Sequence, residues 1–376
     1  MEQLLKKCEQ IALNPKDTVN DYVKNHNMKA VGVCMPIGPE ELIDAAGMLP
    51  VGLWGGYDVE YDLAKQYFPA FAASAPFAIM ELALNGTYDI LSGIIVPGLS
   101  DTLNCLAQNL QSGVKKYPTI FIAYPQNRFI PSGIEFLVNE LTGIKKKLEN
   151  IKGGEISEED IQRSIKIYNE HKVAMREFSK LAASHPNTIN NRQRAFVFKS
   201  AWFMPKKDHT DIVKAINEEL KKLPDENFDG KRIVVTGLQM DDPKLLDILE
   251  NNKLRIVGDF LAHESVQYNS DIPENGDGIS RLAQYWGLIK GFSFAYDPNK
   301  LRGKLMVELA KERKADGALY ALMKFSDNEE YDMPICIKDI EEGKVPVISF
   351  EFDQQTTRSE ERRVGKECRS RWSPYH

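Results

Sequence analysis

Residues 93–114 read GIIVPGLSDTLNCLAQNLQSGV, and this stretch decides the fold class. Gly93–Val96 is a short apolar, β-branched run that suits a buried strand. Pro97-Gly98 ends it. Ser100 can then N-cap a helix running from Asp101 to about Val114, because a serine oxygen satisfies amide donors that a helix start leaves unpaired. One strand feeding one helix is the unit of an α/β domain.

The same unit recurs on both sides. Upstream, Lys29–Val33 and Leu49–Leu53 read as strands, Pro39–Ala46 and Ala72–Leu84 as helices, and Gly47 suits the residue just past a helix end. Downstream, Thr119–Ala123 is a fourth strand. Residues 135–222 then change character: apolar positions recur at helical spacing and charges fill the gaps. Ser157-Glu158-Glu159-Asp160 resembles a capping box opening a long helix to about Ala183. Further helices are predicted near Arg192–Phe203 and His209–Leu223. From Lys231 the alternation returns, with strands at Arg232–Thr236, Arg255–Gly258, Ala318–Lys324 and Val347–Phe352. Helices fall at Leu245–Glu250, Gly278–Trp286 and Leu301–Lys314. The expected organisation is an N-terminal α/β domain (1–134), a helical connector (135–222) and a C-terminal α/β domain (223–357), each sheet mainly parallel. Two such domains leave a cleft between them, and ligands in open α/β sheets lie beyond the carboxyl ends of the strands.

Residues 358–376, RSEERRVGKECRSRWSPYH, break from this pattern. They hold six basic and three acidic residues and show no periodicity. They also resemble the translation of a common sequencing adaptor, so they are read as a non-native tail, the alternative being a disordered basic arm.

The bulk properties are those of a globular chain: 376 residues, 43% hydrophobic, 27% charged, formal net charge −6. Lysines and arginines are interleaved with acids, which argues against nucleic acid as a partner. No apolar run approaches the roughly 18–20 residues of a membrane span. Met1–Leu13 carries Glu2, Lys6, Lys7 and Glu9 in an amphipathic pattern unlike a signal peptide, so a cytoplasmic location is expected. Cys8, Cys34, Cys105 and Cys336 show no regular spacing and read as buried, inert thiols. There is no GxGxxG, P-loop or HExxH, so nucleotide and zinc hydrolysis are unsupported.

Three segments stand at strand ends or helix starts: Pro69–Ser74 (PAFAAS), Pro97–Thr102 (PGLSDT) and Lys324–Asp332 (KFSDNEEYD). Together with Pro39–Pro50, Pro125-Gln126-Asn127-Arg128 and Glu351–Gln355, they resemble the 2-hydroxyacyl-CoA dehydratase family in order and spacing, from about residue 15 to 357. Pro125–Arg128 leans toward the β subunit of the 2-hydroxyglutaryl-CoA enzyme; benzoyl-CoA reductase subunits are similar too. The resemblance implies two flavodoxin-like, Rossmann-type domains per subunit and a heterodimer with a homologous α-type subunit. It also implies an acyl-CoA substrate, a [4Fe-4S] cluster held by three cysteines, and a separate ATP-dependent iron–sulfur activator. The implied chemistry is one-electron reduction of the thioester, loss of the α-hydroxyl and then of a β-proton, and return of the electron, giving a 2-enoyl-CoA. Carried over, the three cysteine positions fall on Ala73, Ser100 and Ser326, which cannot ligate as soft thiolates do. No cluster is therefore expected on this chain; clusters are expected on the partner and the activator.

Individual residues admit two readings each. Ser100 and Ser326 precede acidic helix starts, and Ser326 with Glu329 matches a capping box; a plain N-cap is the simpler account, a catalytic serine the other. Asp101, Thr102, Gln126, Asn127, Arg128 and Asp259 could face the cleft. Arg128 could meet a CoA phosphate or lie in a surface turn, and Asp259 could sit at the rim or cap a helix. His263 has no visible partner and reads as structural. Trp54, Trp202, Trp286 and Tyr57 read as core aromatics. Rival functions are a non-catalytic assembly or CoA-thioester-binding member of the family, and a benzoyl-CoA-reductase-like subunit.

Overall fold

The computed structural model describes residues 1–354; the sequence tail 358–376 lies outside the described residues. Two helices, α1 (Glu2–Leu13) and α2 (Pro15–Asn25), precede the first sheet. That sheet is built from β1 (Ala30–Cys34), α3 (Glu40–Ala45), β2 (Leu49–Leu53), α4 (Ser74–Leu84), β3 (Gly93–Gly98), α5 (Asp101–Gly113) and β4 (Thr119–Ala123). Its strand order is β2-β1-β3-β4, and every pairing is parallel. All five side chains of β1 and of β2 are buried, as expected where helices cover both faces.

Four helices follow: α6 (Pro131–Lys152), α7 (Glu158–Ser184), α8 (Asn191–Ser200) and α9 (Lys206–Leu220). The capping box forms: Asp160 N donates to Ser157 Oγ at 3.1 Å and Ser157 N to Asp160 Oδ2 at 3.2 Å. A second box at Asn190 and Gln193 starts α8. The layer is no mere linker. Its helix α7 packs on α9, α3 and the second sheet, and α8 packs on α1. Phe178, Phe196 and Phe198 from this layer are fully enclosed, each worth roughly 1.5–3 kcal/mol relative to exposure.

The second sheet repeats the first. It comprises β5 (Lys231–Gly237), α10 (Pro243–Asn251), β6 (Leu254–Leu261), α11 (Gly278–Leu288), α12 (Arg302–Glu312), β7 (Gly317–Met323), α13 (Asp327–Glu342) and β8 (Val347–Phe352). The order β6-β5-β7-β8 is again all parallel. In both sheets the order reverses beside the first strand, and loops leaving there open a crevice at the carboxyl ends. The crevices face each other. Asn328 Nδ2 donates to the Leu99 carbonyl at 3.3 Å across the junction. After β8, Gln354 N donates to Ser74 Oγ at 3.0 Å and its Nε2 to the Trp54 carbonyl at 2.8 Å. Gly55, at φ +77°, makes room for that glutamine, because a Cβ there would collide with its Oε1. One apolar core runs through both domains and the helical layer; a smaller one lies behind β5 and β7. Among the described residues, no helix is long and apolar enough to cross a membrane.

Candidate functional site

The three positions carried over from the cysteine pattern each sit at a helix start. Ala73 is the N-cap of α4 and is buried. Ser100 caps α5, its Oγ accepting from Leu103 N at 3.3 Å, as expected. Ser326 precedes α13 and is buried, but its side chain makes no capping bond. The predicted box with Glu329 does not form. Glu329 is fully buried and turned instead to Arg302, with Nη1–Oε1 at 3.0 Å and Nη2–Oε2 at 3.3 Å; Ser293 Oγ also donates to it. A buried guanidinium needs a counter-charge more than a helix start needs one carboxylate. Ser100 and Ser326 follow equivalent strands, β3 and β7, at the two points where strand order reverses.

These three positions offer two hydroxyls and, at Ala73, a methyl group that can donate nothing. Among the described residues, no group of three His, Cys, Asp or Glu side chains is placed to hold a metal ion. Cys34 and Cys336 are buried, and burial pushes the Cys336 thiol up to about 12 and Cys34 further. Cys105 is exposed on α5, which corrects the expectation that it is buried. These donors do not fit a [4Fe-4S] cluster.

The remaining sequence candidates scatter. Asp101 is exposed in the first turn of α5, where a carboxylate complements the helix dipole. Thr102 beside it is half-buried; Gln126 is exposed. Asn127 is exposed and its Oδ1 accepts from Phe129 N at 3.1 Å, closing a turn. Arg128 is neither a surface residue nor poised for a phosphate. It is buried, and donates to the carbonyls of Trp286 and Ile289 at 2.7 Å and of Tyr296 at 3.0 Å. Burial lowers its pKa to about 10. Its guanidinium ties the β4 exit to the end of α11. Asp259 is also interior. Although β6 is an edge strand, α7 packs over it. The Asp259 carboxylate is ion-paired with Arg194 and accepts from Ser265 Oγ at 2.6 Å and from Ser265 N at 3.0 Å, so it lies off the rim and satisfies the first amide of the short 3-10 helix Ser265–Tyr268. His263 is buried, as a structural histidine would be, and burial pulls it down to about 4. Trp54, Trp202 and Trp286 are core residues; Tyr57 is only half-buried, with its hydroxyl on Asp241 Oδ1 at 2.8 Å.

A set of residues that the sequence reading passed over is gathered where β1 ends. A cavity of about 60 Å³ lies between α3, α7 and the start of α9, lined by Glu40, Glu41, Tyr168, His171, Lys172 and Lys206 among others. Lys206 Nζ meets Glu40 Oε2 at 2.7 Å, and Tyr168 OH donates to the same oxygen at 3.3 Å. Lys172 Nζ donates to Tyr285 OH and the Gln267 carbonyl, both at 2.9 Å. Burial pushes the Glu41 carboxyl up, against the pull of Lys172. Two carboxyls and two ammoniums thus line one small cavity, charge-balanced within it. Pro39-Glu-Glu was legible as part of a motif. Its cationic partners, more than 100 residues away, left no local signal.

A histidine pair backs this cavity. His209 Nε2 lies 3.0 Å from the Val197 carbonyl, so it carries the proton and its Nδ1 accepts from His171 Nε2 at 2.8 Å. Burial holds both well below the ordinary range, His209 at about 3. Their folded values lie below the unfolded value of about 6.5. The stability tied to their neutral state is therefore complete above pH ~6.5 and is lost as pH falls toward ~3. Urea unfolding of His209→Gln should show a pH slope between 6.5 and 4 that is shallower by up to about 1.4 kcal/mol per pH unit. An unchanged slope would mean that His209 is already protonated in the folded state.

Known proteins resemble this chain in sequence along nearly its whole length. A family model described as 2-hydroxyglutaryl-CoA dehydratase, D-component, matches residues 37–365. The β subunit of (R)-phenyllactyl-CoA dehydratase from Clostridium sporogenes is 42% identical, over 94% of each chain. The β subunit of lactoyl-CoA dehydratase from Anaerotignum propionicum is 38% identical over 96% of each. The β subunit of (R)-2-hydroxyglutaryl-CoA dehydratase from Acidaminococcus fermentans is 36% identical over 94% of each. With two matching parallel sheets facing across their crevices and similarity along nearly its whole length, the chain belongs to the 2-hydroxyglutaryl-CoA dehydratase D-component family.

Proposed function

We propose that this chain is the β-type subunit of a 2-hydroxyacyl-CoA dehydratase, a hydro-lyase that removes water from a 2-hydroxyacyl thioester. What carries the reading is near-full-length similarity to three proteins that are each named as the β subunit of such an enzyme. The partner is a homologous α-type subunit, and reduction is supplied by an ATP-dependent iron–sulfur activator. This chain holds no [4Fe-4S] cluster of its own. Support comes from the donor set: Ala73, capped Ser100 and buried Ser326 offer no thiolate, and among the described residues no three ligand-type side chains are grouped to hold a metal ion. The chain's part is then to shape one wall of the substrate cleft. Its crevice loops and the Glu41–Lys172 cavity lie on the side where ligands of this architecture bind.

The test is iron and acid-labile sulfide in the anaerobically purified chain, alone and with its α-type partner. The chain alone is expected to be iron-free, and the complex to carry one cluster. The triple variant Ala73→Cys/Ser100→Cys/Ser326→Cys, anaerobically reconstituted, is expected to take up about four iron atoms. Stoichiometric cluster binding by the unmodified chain would overturn the donor assignment. Failure to associate with any α-type subunit would overturn the subunit role.

A further inference from the structure

A second, larger cavity lies between the N-terminal helices, β2 and the exit of β5. Its volume is about 410 Å³, within the roughly 300–1,000 Å³ of small-molecule sites. The N-terminal helices α1 and α2 form one wall through Ala12, Leu13 and Val19; Val51, Leu53 and Trp54 of the β2 end form the floor, and Ile90, Leu91 and Phe203 close it. Most of this lining is apolar.

One corner is polar, and its pairings indicate what chemistry it lacks. Asp241 is buried and ionised. Burial alone would raise its pKa, but Lys199 and its neighbours hold it well below the usual carboxylate range. Its oxygens are satisfied by Lys199 Nζ at 2.7 Å, Tyr57 OH at 2.8 Å and Gln239 Nε2 at 2.7 Å. The anion is therefore spent. The donors are not. Lys199 has three N–H groups and, among the described residues, meets only Asp241. Trp54 Nε1 is buried without a hydrogen-bond partner, and so is the one N–H of the neutral His263 ring, whose nearest carboxylates stand at 3.6 and 3.8 Å. Lys16 stands exposed on the wall nearest solvent. An apolar chamber with surplus donors calls for a ligand with an apolar body and an acceptor head.

We propose that this cavity binds an apolar monocarboxylate, aliphatic or aromatic, with its body against Leu53, Trp54 and Phe203 and its carboxylate on Lys199. The site is separate from the crevice positions at Ala73, Ser100 and Ser326 and does not depend on the dehydratase reading. Its residues come from α1, β2, α8 and the exit of β5, so an occupant would join the N-terminal helices to both sheets.

Titration of the purified full-length chain with 4-phenylbutanoate and hexanoate, followed by tryptophan fluorescence and calorimetry, tests this. Trp54 and Trp202 line the cavity and report on it directly. Saturable binding with Kd below about 1 mM is expected, with 4-phenylbutanoate at least tenfold tighter than the uncharged 4-phenylbutan-1-ol. Lys199→Met should weaken the carboxylate at least tenfold and leave the alcohol within about twofold. Because that change also leaves Asp241 short of a donor, Ile90→Trp is the second variant. Ile90 is half-buried and lines the chamber away from Lys199 and Asp241 in sequence, and a tryptophan there fills the space; both probes should lose binding. No saturable signal in the wild type, equal affinity for acid and alcohol, or binding untouched by Ile90→Trp would each overturn the proposal.

Discussion

Arg194→Leu is expected to destabilise the protein by about 3–5 kcal/mol, the range for breaking a buried ion pair by removing one partner. Arg194 stands on α8 and is buried, with its guanidinium over the Phe198 ring at 4.7 Å. It pairs with two carboxylates at once, Asp259 through Nη2 and Glu264 through Nη1. Both acids are buried, so the leucine variant strands them together in a medium that cannot solvate them. Glu264 already shows the strain of that position: burial pushes it up to about 8 despite Arg194. A carboxyl whose folded pKa is raised contributes stability below its unfolded value near 4.5, and this is lost as pH climbs through 8. Glu264→Gln should therefore flatten the decline in stability between pH 5 and 8, and Arg194→Leu/Asp259→Asn/Glu264→Gln should recover most of the loss. Urea unfolding followed by circular dichroism measures all of these. A loss under 1 kcal/mol for Arg194→Leu would mean that solvent reaches the two acids.

Arg302→Met should cost a similar amount, about 3–5 kcal/mol. Arg302 is buried at the start of α12 and binds four partners. Its Nε donates to Thr236 Oγ1 at 2.9 Å, and its Nη1 to Tyr320 OH at 2.9 Å, Glu329 Oε1 at 3.0 Å and Asp332 Oδ2 at 3.4 Å. Through Glu329 and Asp332 it grips the first two turns of α13, the helix that Ser326 begins. The variant should thus loosen the β7–α13 turn before it unfolds the domain. Hydrogen exchange of the amides at 326–332 should accelerate by more than the global loss explains. Arg302→Met/Glu329→Gln, which removes both members of the closest pair, should restore more than half of the stability. Uniform acceleration across the sheet would show that the ion pair supports the whole domain and not this turn.

Both arginines show where reading along the chain runs out. Strand and helix order was legible because it depends on apolar periodicity and on chemistry within one turn. Leu49–Leu53, Thr119–Ala123 and Val347–Phe352 were located to the residue. The Ser157–Asp160 box and the Ser100 cap behaved as their spacing predicted. Ser326 and Glu329 had the right spacing too, yet the box did not form, because Arg302 took the carboxylate from 27 residues away. Arg128 looked equally available to a ligand until the fold supplied carbonyls from residues 158 to 168 positions further on.

The sequence by itself determined the α/β class, the repeat of a strand–helix pattern either side of a helical segment, the family resemblance, and that positions 73, 100 and 326 carry alanine and two serines. Each of these is a matter of residue type or of spacing within a single element. Only the tertiary structure decided which charges are paired, that Glu40, Glu41, Lys172 and Lys206 share one cavity, and that donors around Lys199 are left over in another. The physical reason is that burial sets the energy of a charge, and burial is fixed by elements that meet only after the chain has folded.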